Sequence, residues 1–119
     1  FEISQLNYNL NNFQESLNNL RALNLELEQR GNEVSFLKDL SRLRLSLLLI
    51  SENEIDEARE ILNKNFIFFE ELKYEFLGDA ELKSSNQEAA RKNYETALEL
   101  TSSEIHKELI RIKLSSIIN

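Results

Sequence analysis

Residues able to transfer protons, bind metals or attack electrophiles are few in this sequence and poorly spaced for it. His106 is the single histidine and cysteine is absent, which leaves no histidine pair, no thiolate ligand and no cysteine nucleophile. Beside Lys107, in what reads as the capped first turn of a helix, His106 is expected to be a solvated surface residue. Carboxylates gather at Glu52, Glu54, Asp56 and Glu57, and again at Glu70 and Glu71. A general acid and base pair needs a buried, concave setting that shifts the pKa values. These groups instead surround expected helix starts, where negative charge is favourable on its own account. No glycine-rich phosphate loop, Ser-His-Asp set or calcium-loop spacing occurs. The expectation is no catalytic residue, no metal and no cofactor, and therefore not an enzyme.

The elements that would position any site are helices. Proline is absent and glycine occurs only twice in 119 residues, so the two strongest helix breakers are nearly missing. With 41% hydrophobic and 29% charged residues, the chain has the composition of one folded domain. The longest apolar run, around Leu45 to Ile50, falls far short of the roughly 20 residues a membrane-spanning helix requires. A net charge of −7 has the wrong sign for a phosphate backbone, so nucleic acid is not expected as a partner. The sequence has no methionine and opens on Phe1 in apparent mid-helix, and it is read as a processed or truncated piece.

Helical periodicity divides the chain into seven segments. A stub runs to about Leu10, and a long helix from about Asn12 to Arg30 carries Phe13, Leu17, Leu20, Leu23 and Leu27 in one stripe before Gly31-Asn32 stops it. The third helix, about Glu33 to Ile50, is apolar nearly all round and is expected to be central. A fourth holds Ile55, Ala58, Ile61 and Leu62, and a fifth runs from about Phe69 to Lys83 after an aromatic corner at Phe66, Phe68 and Phe69. The sixth ends near Leu100, and the last spans about Ser102 to Ile118. Ser51-x-x-Glu54, Ser85-x-x-Glu88 and Thr101-x-x-Glu104 each read as a capping box at a helix start.

The segments repeat. Leu77-Gly78, followed by Ala90, Tyr94 and Ala97, has the tetratricopeptide spacing: large then small in a first helix, then small, aromatic, small in a second. Small residues let two antiparallel helices approach closely, and Gly78 and Ala90 are expected to face each other. Shifting by 32 positions lays Ala58 on Ala90, Leu45-Ser46 on Leu77-Gly78 and Leu62 on Tyr94, with Arg42 where Tyr74 stands. The predicted fold is all-α, antiparallel helix pairs stacked as a short right-handed tetratricopeptide-like solenoid of about three repeats. Its expected parts are a first repeat over 1–32, a second over 33–68, a third over 69–101 and a capping helix over 102–119.

The stretch from Glu71 to Leu98, supported upstream by Leu43 to Leu49 and Asp56 to Leu62, resembles the last repeat of the YfgM-like proteins, ancillary subunits of the bacterial Sec translocon. That resemblance implies a periplasmic repeat domain on the inner membrane, tethered by an anchor missing from this chain. It also implies partnership with the translocon and a PpiD-like chaperone. A soluble repeat adaptor unrelated to secretion and a self-assembly module are the alternatives.

In stacked helix pairs the concave face comes mainly from the first helix of each pair. The matching positions here are Leu40, Leu43, Leu47 and Ile50, then Leu72, Glu75, Asp79 and Leu82, one half apolar and the other acidic. The leucines either line an open groove or pack against the long second helix. On the last helix, Ile105, Leu109 and Ile112 form a stripe suited to packing on the sixth helix. Ile110, Leu114 and Ile117 form a second stripe that either contacts another chain, giving a partner or homo-oligomer interface, or is hidden in the stack.

Overall fold

The computed structural model describes residues 2–117, and the side chains of residues 12–117. Six α-helices follow one another: α1 (Glu2–Glu28), α2 (Ser35–Ser51), α3 (Ile55–Leu62), α4 (Glu70–Lys83), α5 (Gln87–Leu100) and α6 (Glu104–Ser115), with one 3-10 turn at Asn32–Val34 before α2. Among the described residues there is no strand, and the chain is an all-α helical-repeat solenoid. The expected stub and second helix are one continuous helix, α1. Nothing in Asn11-Asn12 forces a break, because asparagine is only a weak helix opponent without a competing cap or turn.

The repeat is written in the backbone. After α2, Asn53 adopts a left-handed φ of 63°, and Asn53 N–H and Glu54 N–H donate to the carbonyls of Ile50 and Leu49. After α4, Ser85 has φ 66°, and Ser85 N–H and Asn86 N–H donate to Leu82 and Glu81. These are the same αL turn closing two helices, at the offset of 32 read from the side chains.

That turn also corrects the capping boxes. Ser51 is the last residue of α2, with its hydroxyl on the Leu48 carbonyl, while Ser85 is itself the left-handed residue. The helices that follow start after Glu54 and Asn86 without a side-chain cap. Before α6 the cap is Ser103, not Thr101: Ser103 Oγ accepts from His106 N–H at 3.2 Å.

Each pair closes on a small residue. Tyr94 and Leu62 occupy equivalent, almost fully buried positions, as do Ala90 and Ala58. A Cβ placed on Gly78 would lie 2.6 Å from the Tyr94 ring. Gly78 therefore faces the Tyr94 ring, which fills the space that the missing side chain leaves. Ser46, the counterpart of Gly78, is fully buried and its hydroxyl has no hydrogen-bond partner.

The main core joins Leu17, Leu43, Leu45, Leu49, Leu62, Leu77 and their neighbours, and a second core gathers Ala90, Tyr94, Ala97, Ile110 and Ile117. The last helix is rotated relative to expectation. Ile110 and Ile117 are buried and Leu114 packs partly against them, whereas Ile105, Leu109 and Ile112 face outward at 78%, 52% and 61% exposure. The same rotation turns His106 and Lys113 towards α4, where both reach Glu75.

Candidate partner-binding groove

The parallel helices α2 and α4 are tied at their C-terminal ends, where Lys83 Nζ donates to the carbonyls of Ile50 at 2.9 Å and Ser51 at 3.2 Å. The ammonium is a further donor to the Ile50 carbonyl, which already accepts Asn53 N–H, and it sits at the negative end of the α2 dipole. Above this tie lies an open cleft of about 390 Å³, lined by Leu47, Ile50 and Ser51 from α2 and by Asp79, Leu82 and Lys83 from α4. Four of the eight groove residues expected from sequence, Leu47, Ile50, Asp79 and Leu82, meet here. Leu47 is the most accessible of its apolar residues, at 51% exposure.

The other four lie elsewhere. Leu43 is buried in the main core. Leu40 lines a cleft of about 270 Å³ between α1 and α2, with Leu20, Leu23, Leu27 and Leu37. Leu72 lines a cleft of about 420 Å³ with Phe69, Leu100, Thr101 and His106. Glu75 is buried beneath α6. The leucines thus divide between the two alternatives, with α2 presenting Leu47 outward and Leu43 to the core.

The acidic half of the expected groove is hydrogen-bonded from within, with Glu75 and Asp79 sharing the Lys113 ammonium. Lys113 Nζ bonds to Glu75 Oε2 at 2.7 Å and to both oxygens of Asp79 at 3.1 Å. His106 Nε2 sits 2.6 Å from Glu75 Oε1, and its Nδ1 lies 2.9 Å from Thr101 Oγ1. Tyr94 donates its hydroxyl to Asp79.

Burial tends to raise the Glu75 carboxyl, but its bonds to His106 and Lys113 outweigh that and hold it below its ordinary value. Lys113 shows the mirror case: burial tends to lower it, and the carboxylates of Glu75 and Asp79 lift it above its ordinary range. Tyr94 is driven well above the usual phenol range by burial and then by Asp79. An ionised Glu75 accepts but cannot donate, so the Nε2 of His106 must carry the proton between them. His106 is therefore a half-buried strut between α6 and α4 rather than a fully solvated residue. One histidine on an otherwise charged helical turn gave no sign of this.

A second polar cluster was also missed. Arg42 makes a bidentate pair with Glu28, both bonds 2.7 Å, and bonds to Asp39 at 3.1 Å and to the Asn65 carbonyl at 2.7 Å. Its signal in the sequence is the appearance of Asp39 and Arg42 on a helix that is otherwise apolar nearly all round. The bonds from Arg42 outweigh burial and hold the Glu28 carboxyl low. Among the described residues no group of three His, Asp or Glu side chains is placed to hold a metal ion, and no helix is long and apolar enough to cross a membrane.

The family model of the tetratricopeptide repeat-like domain matches residues 3–119. The chain belongs to the tetratricopeptide repeat-like domain family. No curated protein and no solved structure matches it. Domains of this tetratricopeptide-like kind are typically non-catalytic scaffolds, and the family supports a protein–protein interaction module.

Proposed function

We propose that the chain is a non-catalytic scaffold that receives a partner segment in the α2/α4 groove. The observation carrying this reading is the convergence of Leu47, Ile50 and Leu82 in one open cleft beside an Asp79 whose carboxylate is already bonded to Lys113 and Tyr94. An apolar floor whose nearby charged groups already have hydrogen-bond partners suits a segment that inserts apolar side chains, because those groups give up little on its binding.

At a finer level, we propose that this is the periplasmic domain of a membrane-anchored protein working beside the Sec translocon with a PpiD-like chaperone. The likeness of the Glu71 to Leu98 stretch to the YfgM-like proteins supports that reading. The test is copurification from cells with the full-length, anchored protein and with its Leu47→Glu variant. Translocon components retained by the parent and lost from the folded variant support both levels. Other proteins retained through Leu47 support a scaffold unrelated to secretion.

One observation favours self-assembly as a second reading. The outward stripe Ile105, Leu109 and Ile112 on α6 is a large exposed apolar surface. Concentration-dependent mass that is abolished by Leu109→Glu would establish it; the buried residues Ile110 and Ile117 are not the surface to alter.

A further inference from the structure

At one end of the stack, α1 and α2 leave an open cleft of about 270 Å³, with Leu20, Leu23 and Leu27 on one wall and Leu37, Leu40 and Arg44 on the other. The repeat identifies what belongs there. At and after the start of α4, Phe69, Leu72 and Phe76 pack against the main core, which α2 and α3 largely build. Their counterparts 32 positions earlier are Leu37, Leu40 and Arg44, and these face the cleft instead. The cleft is therefore the seat of a first helix that pairs with α1 and lies beside α2, and no helix among the described residues fills it.

The other end of the stack has the opposite lack. Laying Glu104, the start of α6, on Glu70, the start of α4, gives an offset of 34 and puts His106 and Ile110 on Leu72 and Phe76. Both of these do face the preceding pair, His106 through Glu75 and Ile110 through Ala90, Tyr94 and Ala97. The same offset puts Leu109 on Glu75, which meets the first helix that follows α4, and Ile112 on Gly78, which meets α4's own second helix. On α6 these two positions are apolar and exposed. Among the described residues, α6 is a first helix without a second helix or a successor.

We propose that α6 of one copy of the chain seats in the α1/α2 cleft of a second copy, completing a repeat across the contact and continuing the stack head to tail. This rests on the self-assembly reading above and adds to it the receiving surface and the register. Ile112 meets α1, as Gly78 meets α5, and Leu109 meets Leu37 and Leu40 of α2. Each repeat of a solenoid hides its apolar face against a neighbour, and here the neighbour is the next chain. The contact joins two different surfaces, so every copy keeps one of each kind free and assembly continues beyond two.

Sedimentation equilibrium of the 119-residue chain is run in about 0.3 M salt, which screens the repulsion between copies of net charge −7. The mass should rise with concentration past that of a dimer. Two variants break opposite halves of the joint at exposed positions, Leu109→Glu on α6 and Leu37→Glu in the cleft. Each alone should stay monomeric, and their equimolar mixture should form a dimer and nothing larger, because one sound surface of each kind remains. If Leu37→Glu loses helicity, Leu23→Glu, at a position 46% exposed, replaces it. A parent that stays monomeric overturns the self-assembly reading and this joint with it, and the occupant of the cleft is then a different chain or segment. A parent that associates through Leu109 while the folded cleft variant still dimerises alone overturns the head-to-tail joint only. So does a mixture of the two variants that stays monomeric.

Discussion

The helix pairs α2/α3 and α4/α5 share a turn, an offset and a pattern of buried small residues, but they close differently. In α4/α5 an absent side chain at Gly78 admits the Tyr94 ring, whose hydroxyl then reaches Asp79. In α2/α3 the equivalents are Ser46 and Leu62: the smaller apolar group fills the gap, and the serine hydroxyl is left without a partner. Where Tyr74 packs in one pair, Arg42 stands in the other and ties α1, α2 and the loop before α4 together. The two pairs use one backbone plan, with aromatic packing in the second and an ionic hub in the first.

The largest test of that contrast is Tyr94→Ala, which leaves a cavity against Gly78 and strips Asp79 of a donor. A loss of about 3–5 kcal/mol in denaturant-induced unfolding is expected. Leu62→Ala should cost no more than that, since less volume is removed and no hydrogen bond is broken. Next is Gly78→Ser, which imports the first pair's residue into the second. With no room beside the ring, it should destabilise by about 1–3 kcal/mol. Unchanged stability would show that the ring does not rest on that glycine.

Glu75→Gln probes the α4/α6 tie by its pH dependence. A carboxyl held low contributes stability that is fully present above its ordinary value of 4.5 and is lost as pH falls through the lowered folded value. The parent should therefore lose stability on acidification below about pH 4.5 more steeply than the variant. Parallel acid limbs in the two proteins would remove Glu75 from the account. The smallest effect is Ser46→Ala, the reverse case to Gly78→Ser. Removing a buried hydroxyl that has no partner, in favour of a better helix former, should stabilise by about 1 kcal/mol.

What the sequence revealed follows from what is local. Helix content and the offset of 32 were readable because small and large residues recur at fixed spacing, and the αL turns at Asn53 and Ser85 repeat with them. The serines near those turns resembled N-terminal caps because a helix end and the next helix start share the same few residues; only the backbone path decides which helix they serve. Contacts across long separations were hidden. Glu75 and His106 are 31 positions apart and Glu75 and Lys113 are 38, and no short pattern announces such pairs. They form with the rotation of α6 that brings Ile110 and Ile117 into the core, and they take Glu75 out of the expected groove. Leu43 leaves it for the main core and Leu40 for the cleft beside α1, while Leu47, Ile50, Asp79 and Leu82 stay together.

Photo-crosslinking in cells from single positions of the protein tests the scaffold reading most directly. A benzophenone side chain at Leu47, in the α2/α4 groove, is compared with one at Lys92, an exposed position on α5. Discrete protein adducts from Leu47, with none from Lys92, are predicted. Adducts from Lys92 together with none from Leu47 would contradict the groove as the binding surface.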